Sequence, residues 1–495
     1  MSTQSFDKVI RGGRVVTPRG TAETDIGIRD GQIAVLGSGL SATATAEVID
    51  ASGLLVLPGG VDAHCHIDQM VSSGARTADD FEGASVAAAF GGTTTLISFA
   101  AQHRGQSLRR VVEEYKTRAQ GKSVLDYGFH LIVTDASQQT LDVDLPALVN
   151  EGFTSVKIYL TYDALRLDDR AALDVLTAVR RVGAMPLIHA ESHDMIAWFT
   201  AKLLASGYDQ IRHLADARPR LAERDAVHHA VSLAELVNIP IVLVHMSSAE
   251  AVEQVRWARR RGFPIYAETC PQYLVLTREA LDRPSFEAAK FCCSPPLRDR
   301  ASQDALWSGL NDGTLSILSS DHSAFVIEGP DGKLKDGPDT AFNRVQYGMP
   351  GLELRLPLIF SEGVGTGRLS IERFVEVTAT EPARLYGLAG RKGVIAPGAD
   401  ADLVIWDPKK QIRITPEALH DGLGWTPYEG RHVTGMPVMT MARGTVVCRE
   451  GERLAAGGHG RLLARARPEA CAINTPPATG FDVVSGQFIC DAPVS

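Results

Sequence analysis

The stretch VDAHCHID, residues 61–68, sets His64 and His66 one residue apart, directly after the apolar run LLVLPGG. Alternate residues of a strand project to the same side, so two imidazoles at this spacing share a face. They start a metal site only if other donors join them, because a divalent ion such as Zn²⁺ is held by about four ligands. Further donors occur at the ends of other apolar runs. His189 lies near the end of MPLIHAE, His245 closes IPIVLVH and Asp321 closes LSILSSD. Lys157 lies inside TSVKIYL, where an unpaired ammonium is costly to bury. Each residue taken alone has a commoner role: a satisfied polar group at a strand end or, for Asp321, a helix N-cap. Four histidines and an aspartate at the ends of successive runs favour one shared site.

Neutral imidazoles and a carboxylate suit a borderline divalent ion, zinc first. Four histidines and one aspartate are few donors for two such ions with room left for water. The Lys157 ammonium cannot ligate. Combined with CO₂ as a carbamate it becomes an anion with two oxygens, able to bridge two metals, which gives a lysine in an apolar strand a purpose. Two bridged dications would bring the pKa of a shared water toward neutrality.

The elements that position these residues follow from texture. From about residue 60 to 390, short apolar runs alternate with helical stretches: GTTTLISFA then SLRRVVEEYKTRAQ, SVKIYLTY then DRAALDVLTAVRRVG, and further runs MPLIHAE, IPIVLVHMS, FPIYAETC and SILSSDH. Near-continuous apolar strands alternating with helices imply a parallel sheet covered by helices. Seven or eight such units point to an α/β fold of the (β/α)8, TIM-like barrel type, whose chemistry sits at the C-terminal ends of the strands. Residues 7–57 and the stretch after 391 read instead as short strands with Gly, Asp-Gly and Pro turns. The expected organisation is a first part of a β-sandwich over 1–58, the barrel over 59–390, the second part of the sandwich over 391–455, and a C-terminal arm or tail over 456–495 suited to packing on a partner subunit.

Composition narrows the function. The chain has 495 residues, 44% hydrophobic and 22% charged, with a net charge of −9 and no basic run. This gives no support to nucleic-acid binding or to an anionic membrane. Seven cysteines, at 65, 270, 292, 293, 448, 471 and 490, are odd in number and form no CxxC pair, which argues against a disulfide framework and for a reducing cytoplasm. No secretion signal is expected, since the first residues lack an apolar segment, and no run is long enough to span a bilayer. The Gly-rich GGRVV and AFGGTTT do not have the spacing of a phosphate loop.

The stretch HCHIDQMVSSGARTADDFEGASVAAAFGGTTTLISF resembles the amidohydrolase superfamily, in its dihydropyrimidinase/hydantoinase branch. So do VKIYLTYD, LIHAES, LVHMSS, ETCPQYL, CSPPLRD, SSDHSAF, ATEPARLYGL, KGVIAPGADADLVIWDP and WTPYEGRHVTGMPVMTMARGTVV, in colinear order from about residue 8 to 455. The resemblance implies two divalent metal ions, zinc with manganese or cobalt as substitutes. One would take His64, His66, carboxylated Lys157 and Asp321, and the other Lys157, His189 and His245. It implies that Asp321 is the general base, taking the proton of a metal-bridging hydroxide as it attacks and returning it to the leaving amide nitrogen. Tyr162 would hydrogen-bond the developing oxyanion. Ser294 matches a position whose backbone holds the cyclic amide. The family's second such position lies in an Ile-Pro-Asn-Gly stretch. Here it reads VQYG, so Tyr347 takes the Asn place and puts the substrate range in question.

Asp68 stands where dihydroorotase-like members carry an arginine for a substrate carboxylate, which argues against a carboxylate-bearing ring. Gln69, Met70, Leu160 and Leu165 fall in loops that shape the exocyclic side of the substrate. Cys65 should face away from the two histidines. Cys292 and Cys293 read as buried small hydrophobes, and His322 as a partner behind the ligands. The resemblance implies a cyclic amidase that hydrolyses the ring C–N bond of a dihydropyrimidine, hydantoin or related cyclic ureide or imide. An allantoinase or cyclic-imide hydrolase on the same site is the alternative. A non-catalytic assembly protein on this fold would be marked by lost ligands, and here each position is filled. The small-molecule substrate is the expected partner, with assembly as a homotetramer or homodimer.

Overall fold

The computed structural model describes residues 5–17, 20–43, 45–473 and 475–489. Cys490 and the end of the C-terminal arm lie outside the described residues. Seven strands follow one another around a parallel sheet: Gly60–His66, Thr93–Ala101, Asp126–Ile132, Ser155–Tyr159, Met185–His189, Ile241–Leu243 and Ile265–Thr269. The next stretch closes the ring in two halves. Ile317–Leu318 pairs with the seventh strand and His322–Ser323 with the first, both parallel, and Asp321 sits in the break. The fold is therefore a TIM-like barrel of eight strands, the eighth interrupted.

Burial on both faces explains the apolar composition of the strands. All nine residues of Thr93–Ala101 are buried. The sequence reading passes over the third strand, because DYGFHLI interrupts its apolar residues with Asp, Gly and His, yet it too is fully buried. Helices begin where side chains cap them. Ser107, Asp168, Ser248 and Asp299 each accept a hydrogen bond from a backbone N–H in the first turn that follows. Asp169–Val182 ends on Gly183 in the left-handed region at φ 69°.

The seam between first and eighth strands is held by a fully buried arginine. The Arg355 guanidinium donates to the carbonyls of Val61 and Leu318 at 3.3 and 2.9 Å and lies 3.4 Å from Asp62 Oδ2. Asp62 Oδ1 in turn accepts from the Ser320 amide at 3.1 Å.

The run LLVLPGG serves two sheets. Leu55–Pro58 belongs to a seven-stranded sheet, between Arg14–Thr17 and Leu403–Arg413, while Gly60 already opens the barrel. A four-stranded sheet places Lys8–Arg11 between Asp25–Arg29 and Glu47–Asp50. The two sheets share an apolar core that includes Ile10, Ile26, Val56, Leu403, Ile405 and Met441.

The C-terminal arm folds back on its own barrel. Tyr127 donates its amide to Arg461 and Leu463 donates back to Tyr127. Arg465, 3% exposed, donates to the Phe129 carbonyl at 2.6 Å and to Ser155 Oγ at 2.9 Å. These contacts lie at the strand starts, on the floor of the barrel. Among the described residues no helix is long and apolar enough to cross a membrane.

Candidate active site

The nine site residues named from the sequence line one cavity of about 430 Å³ at the C-terminal end of the barrel: His64, His66, Lys157, Tyr162, His189, His245, Ser294, Asp321 and Tyr347. His64 and His66 stand on the last turns of pleat of the first strand, Lys157 in the middle of the fourth, and His189 at the end of the fifth. His245 follows the sixth strand by two residues, and Asp321 occupies the break in the eighth. Both adopt left-handed backbone, at φ 45° and 49°. Such conformations in non-glycine residues are uncommon and mark places where the fold over-determines a side chain.

Two groups form. Asp321 Oδ1 lies 3.2 Å from His64 Nε2 and 3.4 Å from His66 Nε2. His189 Nδ1 lies 2.8 Å from His245 Nε2. Lys157 Nζ is buried and has no hydrogen-bond partner, and neither has His245 Nδ1. The ammonium instead faces the rings of Phe99 and Tyr159, at 5.3 and 5.2 Å from their centroids.

Burial dominates the charge states here. It lowers the pKa of His64, His189 and His245, which favours neutral imidazoles, and pulls that of Lys157 down to about 8. For Asp321, burial acts upward, but the imidazoles of His64 and His66 more than offset it and leave the carboxyl below its ordinary range.

The outer nitrogens of three histidines face oxygen acceptors, so their inner nitrogens present lone pairs to the cavity. His64 Nδ1 is 2.6 Å from Glu268 Oε1, which also accepts from the His245 amide at 3.2 Å. His66 Nδ1 is 2.9 Å from Gln69 Oε1 and His189 Nε2 is 2.8 Å from Glu191 Oε2. The His189 Nδ1 lone pair is aimed at His245 Nε2, which in metal-free protein meets it as an N–H donor and leaves His245 Nδ1 as the orphan.

Glu268, Glu191 and Arg218 are absent from the sequence reading. The available signal is a carboxylate inside a family-like motif, Glu191 in LIHAES and Glu268 in ETCPQYL, where a buried acid demands a partner.

Glu191 also organises the pocket wall. It accepts from Arg218 Nε at 3.1 Å and Nη2 at 2.5 Å, and from Ser294 Oγ at 2.9 Å. The Arg218 guanidinium lies 5.2 Å from the centre of the Tyr162 ring and 5.8 Å from that of Tyr347. Tyr162, at φ 69°, sets its ring 5.3 Å from that of His189. Burial pushes its hydroxyl up to about 12, so it remains a donor across the neutral range. The Tyr347 hydroxyl is engaged by the Phe342 carbonyl at 2.9 Å.

Gln69, Met70 and Leu165 line the cavity, whereas Leu160 packs against the barrel core. Gln69 does more than shape a loop, since it fixes His66. His322 stands behind Asp321, 2.7 Å from Asp79 Oδ2. Cys65 is buried and donates to the Ile97 carbonyl, away from the ligands. Burial pushes the thiols of Cys292 and Cys293 up, which keeps them protonated and unreactive. Asp68 meets the half-exposed Arg76 at 3.4 Å, outside the ligand group.

Residues 55–447 match the model of the amidohydrolase family. The chain is 41% identical over 462 residues to a D-hydantoinase of Geobacillus stearothermophilus, covering 93% of this chain and 97% of that one. It is 39% identical over 459 residues to a D-phenylhydantoinase of Escherichia coli O1:K1 / APEC, covering 92% and 98%. The crystal structure of a dihydropyrimidinase from Brevibacillus agri NCHU1002 aligns with a TM-score of 0.90 at 40% identity, over 93% of this chain and 99% of that one.

Proposed function

The chain belongs to the amidohydrolase family, and from this premise we propose that it hydrolyses the ring amide C–N bond of hydantoins and dihydropyrimidines. It is a cyclic amidase acting on a small-molecule ring, and the product is the N-carbamoyl amino acid left when that ring opens. The observation that carries the reading is the convergence of four imidazoles, Asp321 and an unpartnered buried lysine beside Tyr162 and Ser294 in one cavity.

The family uses a binuclear divalent metal centre, and the donors here fit one. The orphaned Lys157 Nζ and His245 Nδ1 are unfavourable for a protein alone, and the imidazoles with a carboxylate between them suit divalent cations. In our reading His64, His66, carboxylated Lys157 and Asp321 hold one ion, and Lys157, His189 and His245 the other, with zinc preferred over manganese or cobalt. Bound metal polarises an amide carbonyl and makes water a competent nucleophile near neutral pH.

The protein's own groups do the rest. Asp321 accepts a proton at its carboxylate and hands it to the departing ring nitrogen. The Tyr162 hydroxyl donates to the carbonyl oxygen as negative charge grows on it. The Ser294 and Tyr347 segments grip the ring through main-chain atoms, and the Arg218–Glu191 pair fixes Tyr162 and Ser294. Tyr162→Phe is expected to lower kcat by about 10²–10³-fold with KM little changed, as loss of one oxyanion donor does elsewhere. Steady-state kinetics on hydantoin check it.

The paired sheets with a common core support a β-sandwich made of residues 1–58 and 391–455 beside a 59–390 barrel. We place the enzyme in the cytoplasm as a homotetramer, or failing that a homodimer. The six described cysteines are unpaired, in keeping with that compartment.

The deciding experiment is ring opening by purified protein on dihydrouracil, hydantoin, 5-phenylhydantoin, allantoin, succinimide and dihydroorotate, with and without a chelator. Chelator-sensitive opening of hydantoin or dihydrouracil is expected. Turnover of allantoin or succinimide alone would keep the chemistry and move the specificity, with Tyr347, which replaces the family's Asn in the wall, the residue responsible. Silence of metal-loaded protein on the whole panel would overturn the reading.

A further inference from the structure

Lys333 lies outside every motif that bears on the chemistry, yet its side chain is fully buried. Among the described residues no carboxylate pairs with it. Its ammonium donates to three main-chain carbonyls instead: Cys292 at 3.2 Å, Gln346 at 2.8 Å and Gly348 at 2.6 Å. An ammonium has three protons, so its hydrogen-bonding capacity is fully used. A buried charge without a counter-ion is tolerated only where such dipoles replace water, and a site of that kind is built rather than incidental.

The three carbonyls come from the two segments that face the substrate cavity from this side. Cys292 precedes Ser294 by two residues, and Gln346 and Gly348 flank Tyr347. The segments also bond directly, the Gly348 amide donating to the Cys292 carbonyl. Gly348 fixes the assembly against the barrel. At φ 148° it comes so close to the eighth strand that a Cβ there would lie 2.5 Å from the Ser323 carbonyl oxygen, two residues from Asp321. The backbone of Lys333 donates to Val326 and accepts from Gln346, which anchors the base of the loop whose later residues Lys335, Asp336 and Asn343 reach the cavity rim.

We propose that Lys333 is a positioning residue for the substrate ring: one ammonium clamps the Ser294 and Tyr347 segments into a single wall at a set distance from Asp321. The inference rests on the cyclic-amidase reading above. Lys333 touches neither the metal ligands nor the reacting atoms, so its loss should loosen ring binding and leave metal loading intact. Because the wall grips the ring and not its substituent, the loss should be equal for rings that differ at the exocyclic carbon.

Lys333→Met keeps the length of the side chain and removes its donors, while Lys333→Gln retains an amide donor. For the Met variant the expected result is a KM raised about tenfold or more, by the same factor on hydantoin and 5-phenylhydantoin, with kcat within about threefold and two metals per chain. The Gln variant should fall between it and the parent, and decides the matter if the Met variant does not fold. Amide hydrogen exchange, followed by mass spectrometry, should quicken in both segments, around 290–296 and 344–350, and stay unchanged in the barrel strands. An unchanged KM, or exchange that quickens in neither segment, would overturn the clamp. So would a uniform loss of stability with KM intact. If the parent opens no cyclic amide, the functional reading fails by itself, and the exchange measurement still decides whether Lys333 joins the two segments.

Discussion

Lys157→Ala protein is expected to lose bound metal and turnover together. The side chain lines the cavity, buried and without a hydrogen-bond partner, together with the His64–His66–Asp321 group and the His189–His245 pair. In the proposed centre it supplies the only ligand common to both ions. Alanine leaves four imidazoles and one carboxylate with no anion between them, and two dications held there would repel without compensation. Loss of the ions forfeits several kcal/mol of transition-state stabilisation, a rate reduction on the order of a thousandfold or more. Metal analysis of the purified variant, alongside its rate on hydantoin, checks both halves. A variant with two metals per chain and ordinary activity would sink the bridged model. Its fold should survive, because removing an unpaired buried ammonium relieves an electrostatic cost while opening only a modest void.

Asp321→Asn is the second large effect. Asparagine has the same shape and tolerates the left-handed backbone at this position as well as aspartate does. The substitution therefore leaves the break in the eighth strand undisturbed and removes the negative charge and the proton acceptor. General acid–base groups contribute about 10²–10⁴-fold, so kcat should fall by that factor or more while KM on hydantoin changes little. A thermal midpoint and a metal content close to the parent's would show that the loss lies in proton transfer. A kcat within threefold of the parent would assign the proton transfer to another group, such as Glu268, the buried acid bonded to His64.

The proposed ligands were legible because they obey a rule of position. Each stands at the C-terminal end of an apolar run, or within one in the case of Lys157, and each run proves to be a barrel strand. The barrel itself was legible from the alternation of such runs with helices. What escaped was whatever the chain brings together across distance. Glu191 serves His189 two residues away, but it also holds Arg218 and Ser294, on separate segments. Glu268 meets His64 across 204 residues of chain. Neither pairing leaves a periodicity behind. The third strand was missed because its polar residues are satisfied within the fold, His130 by Ser155 and by the Ala63 carbonyl. The composition of the arm suits a contact with a neighbouring subunit as well as one with its own barrel. Its Gly- and Ala-rich composition gives no sign that Arg465 would turn into the barrel floor.

The seven-stranded sheet has a consequence for biosynthesis. Leu55–Pro58 pairs with Leu403–Arg413, so 344 residues separate Pro58 from Leu403. At about 5–20 residues per second, a ribosome needs roughly 20–70 s to make the second strand after the first has been made. For that interval Val56 and its apolar neighbours wait without the partner that will bury them, and the barrel floor stays open until Arg465 emerges. Nascent chains halted before residue 400 should therefore be held by chaperones and sensitive to proteases. Small shifts in synthesis rate should change the yield of soluble enzyme without altering the finished molecule.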